Sequence, residues 1–109
     1  MASEGLTLAT FRGDASSVQA LLTVASGHTY TVLSVTICET GNAAETFKLL
    51  IDDGGGGSDT YIYFDQALAA KETFEHTGRI VIVDEDHLCA ILTGTGNVDV
   101  VVSYLDQTR

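Results

Sequence analysis

The sequence predicts an all-β fold: an antiparallel β-sandwich or jelly roll of about eight short strands with an extended N-terminal arm. Three observations carry this expectation. Apolar and polar residues alternate with a period of two through most of the chain. The alternating runs are rich in Val, Ile, Thr, Tyr and Phe, which suit a half-buried pleated surface. The 109 residues include 11 glycines and no proline, so Gly with Asn and Asp must supply the turns.

Taken in order, residues 1–17 read as an N-terminal arm or edge segment and 18–109 as one β-sandwich domain. Leu6, Leu8 and Phe11 are apolar, but the Ser, Gly, Asp and Ala around them give no clear turn-bounded strand. A frayed terminus or an extra edge strand is the plain reading. The sharper one is an arm that buries Leu8 and Phe11 on another subunit, which makes Leu6, Leu8, Phe11 and Arg12 the candidate partner-binding residues.

The strand candidates are 19–24, 29–39, 45–52, 60–65, 71–76, 79–83, 87–93 and 99–105. In the second of these, Leu33, Val35 and Ile37 are expected on the core side, with Ser34 and Thr36 facing away. In the third, Phe47, Leu49 and Ile51 alternate with Thr46, Lys48 and the less decisive Leu50. Residues 25–27, 40–42 and 93–97 carry glycine and small polar side chains that take positive φ cheaply. Residues 52–59 form a glycine-rich hairpin tip. Only 14–22 and 66–72 have helical flavour, and isolated helices that short are marginal.

Composition narrows the function. With 45% apolar residues the chain is expected to fold. Fifteen acidic residues against five basic ones give a net charge of −10, which argues against a nucleic-acid footprint or an anionic membrane surface as partner. No apolar run reaches the ~18 residues of a membrane-spanning helix, and the start reads MASEGLTLATFRGD, with no basic-then-apolar leader.

Candidate chemistry is sparse. Asp84-Glu85-Asp86-His87 is the densest charged cluster, but it falls where two strands need a turn and lacks calcium-loop spacing. Asp52, Asp53 and Asp59 flank the glycine run, whose flexibility opposes holding an ion. His28, His76 and His87 form no HxH or HExxH pattern, no nucleophile elbow is present, and Gly94-Thr95-Gly96 lacks the features of a phosphate loop. No catalytic residue, metal site or cofactor is therefore expected. Arg12-Gly13-Asp14 matches the tripeptide that integrins read, and three residues coincide easily by chance. Cys38 and Cys89 lie in apolar runs and read as free, buried thiols packing as small hydrophobes; a bridge between them is the alternative. Tyr30, Tyr61, Tyr63 and Tyr104 could stack on sugars if exposed together, which keeps a carbohydrate-binding or adhesion sandwich as a different class of function. The plainer expectation is that Tyr61 and Tyr63 cover one face of a strand.

The strand-and-turn pattern also resembles small virion structural proteins of tailed bacteriophages. Residues 20–24 and 27–40 give a strand, a small-residue turn and a long strand ending at Cys38 and Glu39. Residues 66–74 resemble the family's short "sLaagEtl" bend, 80–88 its "lvLeaGDsl" segment, and 96–104 its terminal "vdv-isgve" strand. This chain departs from the pattern with Glu85-Asp86 in place of glycine-aspartate and with no proline at 25–27. The resemblance implies a non-enzymatic capsid decoration, or cement, protein: a homotrimer on the capsid exterior, over junctions between major capsid subunits, assembled in the host cytoplasm. A tail, neck or baseplate component is the variant within the same class.

Overall fold

The structure, a computed structural model, describes residues 4–14, 19–52, 59–83, 85–93 and 97–108. Nine strands run through them: β1 (Glu4–Asp14), β2 (Gln19–Thr23), β3 (His28–Glu39), β4 (Glu45–Asp52), β5 (Asp59–Leu68), β6 (Thr73–His76), β7 (Ile80–Val83), β8 (His87–Thr93) and β9 (Asn97–Thr108). One sheet has the order β1-β9-β3-β6, with β7 also pairing β3; the other has the order β2-β8-β4-β5. Strands β6 and β7 lie along opposite halves of β3, against Val35–Cys38 and Thr29–Val32. Together they occupy the place of one strand. Every other connection except β4–β5 passes from one sheet to the other, which is jelly-roll connectivity.

The alternation that predicted the strands also builds the core. In β9, Val98, Val100, Val102 and Tyr104 turn inward and are buried, while Asp99 and Val101 turn out. Phe47 and Leu49 of β4, and Leu88, Ala90 and Leu92 of β8, meet them from the second sheet. Aromatic rings reinforce the contact: Phe47 and Phe74 have centroids 5.0 Å apart, and Tyr30 and Tyr104 4.7 Å. Each fully buried large side chain contributes about 1.5–3 kcal/mol. Burial is continuous between the sheets, so the outward faces and the sheet edges are what remain for function.

Three sequence expectations change. Leu33 is not in the core, because a bulge between Val32 and Ser34 shifts the phase of β3. Tyr30 and Val32 are buried before the bulge and Val35 and Ile37 after it, leaving Leu33 half-exposed. The helical flavour of 66–72 yields to pairing: Ala67 and Leu68 extend β5 opposite Thr46 and Glu45. A turn follows, with Lys71 at φ 64 and the Glu72 N–H donating to the Ala69 carbonyl at 3.0 Å. In the 14–22 stretch, 19–22 belong to strand β2 and 15–18 lie outside the described residues. Tertiary ladder bonds override weak local propensity in both places.

Candidate functional site

Strand β1 is the outer edge of its sheet, paired with β9 from Glu4↔Gln107 to Asp14↔Asn97 without a register shift. Strand periodicity separates the four candidate residues. Leu6 and Leu8 are 78% and 60% exposed on the outward face, and Arg12 is exposed opposite Asp99. Phe11 points the other way and packs against this chain's own core. The register continues the apolar surface inward as a row, Leu6–Leu105–Thr31–Val81, across four strands. An open depression of about 360 Å³ is lined by Leu6, Leu8, Leu33, Ser103, Tyr104 and Thr7. Arg12-Gly13-Asp14 lies in this paired strand rather than at a loop tip.

The edge of the second sheet is built differently. Along β4 the partners step from Phe47↔Gln66 to Leu49↔Tyr63 to Leu50↔Tyr61, so β5 takes an extra residue twice. Such bulges re-aim side chains. Asp65 sits at φ 56 within the first of these bulges, between Gln66 and Tyr63. Tyr61 and Phe64, three apart in sequence, are brought to one exposed face with ring centroids 4.9 Å apart and planes at 89°. Lys48 Nζ lies 4.7 Å from the Phe64 ring centroid and 2.6 Å from Asp65 Oδ1. Nothing in the sequence pattern marks Phe64, because residues three apart on a regular strand face opposite ways.

The same bulges take Tyr61 and Tyr63 to different faces. Tyr63 turns in, packing on Phe74 at 4.9 Å and sharing a 2.8 Å hydrogen bond with His76 Nδ1. Tyr30 and Tyr104 stack within the core. The four tyrosines therefore do not form a common sugar-stacking surface; Tyr61 has Phe64 as its neighbour instead.

The polar clusters do structural work. Asp86 Oδ2 accepts from the Val83 N–H at 3.0 Å, its own N–H donates to the Val83 carbonyl, and Glu85 takes φ 71. This closes the β7–β8 turn; Asp84 lies outside the described residues, as does the glycine tip 53–58 with Asp53. His87 Nδ1 pairs with Thr23 Oγ1 at 2.9 Å, and His28 Nδ1 with Asp106 Oδ1 at 2.6 Å. Among the described residues, no group of three or more His, Cys, Asp or Glu is placed to hold a metal ion. Cys38 and Cys89 are both free; Cys38 is half-buried and Cys89 buried. Burial, with Asp52 and Asp59 nearby, pushes the Cys89 thiol up to about 11.

One acid escaped the sequence reading. Glu39 ends the inward series of β3 and is 1% exposed. Its carboxylate accepts backbone N–H bonds from Gly41 at 2.8 Å, Lys71 at 3.1 Å and Ala43 at 3.3 Å. Burial pushes its carboxyl up. The Lys71, Gly41 and Ala43 N–H groups and a hydrogen bond with Glu45 outweigh that and hold it below the ordinary carboxylate value. Its place in the 35, 37, 39 inward phase was the signal available.

No protein-family model and no curated protein matches this chain. Solved structures do. A chain from the acid-stable capsid of Helicobacter pylori bacteriophage KHP30 is similar at a TM-score of 0.59 and 18% identity, covering 100% of this chain and 99% of that one. A chain from the disulfide-linked pili of Bacillus endospore appendages is similar at a TM-score of 0.59 and 12% identity, covering 98% and 88%. At such identities the likeness is one of fold.

Proposed function

We propose that this chain is a non-enzymatic structural subunit of a bacteriophage particle, and specifically a capsid decoration protein that binds the major capsid protein from outside. The observation that carries this reading is the end-to-end likeness to the KHP30 capsid chain, in which each chain accounts for nearly all of the other. Two further features support it. Apolar side chains stand exposed on the outward faces of both sheets, Leu6 and Leu8 on one and Tyr61 and Phe64 on the other. A subunit with two such surfaces can touch two neighbours at once, and multivalent contact strengthens attachment without any single strong interface. Packaged DNA presses a capsid outward, and a protein bridging its subunits resists their separation. The surplus negative charge opposes unspecific aggregation of free subunits.

A filament subunit is the second reading, favoured by the equal TM-score to the endospore-appendage chain. The deciding measurement is copy number in purified virions, by quantitative mass spectrometry against the major capsid protein. A ratio near one per capsid subunit is the expected result. A few copies per particle would move the protein to tail, neck or baseplate. Absence from particles would overturn the virion role and leave the filament reading, which electron microscopy of the purified protein would examine.

A further inference from the structure

The four sheet edges of this molecule are not equally open to strand addition. A long, regular edge is open to strand addition, whereas bulges and short strands protect an edge. At one edge β2 has five residues and a register shift between Ala20 and Leu22. At the opposite edge of that sheet, β5 carries two register shifts. The edge beyond β3 is split between β6 and β7, of four residues each. Strand β1 alone runs eleven residues with an unbroken register against β9, and among the described residues no strand pairs its far side.

We infer that β1 pairs with β1 of a second copy of this chain, antiparallel and about a two-fold axis, joining two five-stranded sheets into one. The choice of partner follows from the edge inventory: the other edges are blocked, so an open β1 in one copy finds its match only in the β1 of another. Identical surfaces meeting in this way form a closed, isologous pair.

Charge fixes the register. Centred on Leu8, the pairing sets Leu8 beside Leu8 of the second copy and Leu6 beside Thr10. It also puts position 12, which is Arg, opposite position 4, which is Glu, on both sides of the axis. Position 12 would then have Asp99 opposite it in its own sheet and position 4 of the other copy across the seam, repeated by symmetry. Centring on Leu6 carries position 12 beyond the strand, and centring on Thr10 sets Arg12 against Leu8. Opposite charges directly across strands stabilise and like charges destabilise. The exposed Leu6 and Leu8 gain apolar neighbours across the seam. This two-fold contact stands in place of the three-fold one that the family resemblance implied, and it does not depend on the virion role.

The test combines native mass spectrometry of the full chain with oxidative cross-linking. The wild type is expected to be a dimer. In a Cys38→Ala, Cys89→Ala background, Leu8→Cys should form an intermolecular disulfide readily, whereas Leu6→Cys and Thr10→Cys, each displaced from its own copy, should not. Arg12→Glu should weaken the dimer by about tenfold, and adding Glu4→Arg should restore it. Circular dichroism of each variant separates lost pairing from lost fold. A monomeric or trimeric wild type, or cross-linking at Leu6 or Thr10 in preference to Leu8, would overturn the pairing. Particle occupancy is read separately: a monomer that still decorates virions removes only this inference, and a dimer missing from them removes only the virion role.

Discussion

Strand β1 follows β9 for eleven residues without a break, whereas β5 slips register twice along β4. Both are edge strands, and both expose large apolar side chains. On β1 these are Leu6 and Leu8, placed by simple alternation on a flat ladder. On β5 they are Tyr61 and Phe64, gathered by bulges that also spoil the edge for strand pairing. The comparison separates two ways for an apolar surface to be used: the backbone of β1 is available together with its side chains, while β5 offers side chains alone. One edge suits another strand, the other a surface.

Substitutions can break this contrast, and the largest effect is expected beneath β5. Phe47→Ala removes the buried ring that supports Tyr63 and Phe74 and should cost about 3–5 kcal/mol in denaturant unfolding. Next comes Glu39→Gln, which acts on the turns entering β4 and leaving β5. Because the Glu39 carboxyl is held below its ordinary value, its contribution is present above the usual carboxylate range and is lost as pH falls through the lowered value. The variant should therefore be less stable than the wild type at neutral pH, with the gap closing on acidification. A gap independent of pH would refute that role.

The corresponding truncation under β1, Phe11→Ala, should cost only about 1–2 kcal/mol because the ring is half-buried. Asp65→Ala should cost about 1–2 kcal/mol, since a left-handed backbone disfavours a Cβ-bearing residue without a local polar contact. Asp65→Gly relieves that strain and should cost less, the Lys48 ion pair being partly solvent-exposed. Leu6→Ser with Leu8→Ser should move the unfolding free energy by no more than about 0.5 kcal/mol while lowering assembly or particle occupancy. Equal losses of fold and assembly would erase the distinction between the two edges.

Much of the fold was legible because period-two alternation is a local signal. Strand β4 was read with the bounds it has, and β8 likewise. The misses share a cause in pairing with distant strands. No turn chemistry frames β1, which the sequence left between a frayed terminus and an extra edge strand; its pairing with β9 makes it the strand. The bulges at Val32–Ser34 and along β5 move Leu33, Tyr61, Tyr63 and Phe64 from the faces their spacing suggests. Ala67 and Leu68 look helical alone and are extended because β4 lies beside them. At the candidate surfaces, Leu6 and Leu8 were legible as apolar side chains amid small and polar ones. That Phe11 belongs to this chain's own core was not, since the sequence does not say which parity faces inward.

The pairing of β1 with β9 also bears on how the chain is made. Seven strands separate the two in sequence, so during synthesis the first strand leaves the ribosome well before its neighbour exists. Non-local pairing of this kind is slow, and unpaired strands are exposed to one another while they wait. With no proline in the chain, no prolyl isomerisation adds to the delay. Of the nine described strands, β1 cannot form its ladder until β9 has been made.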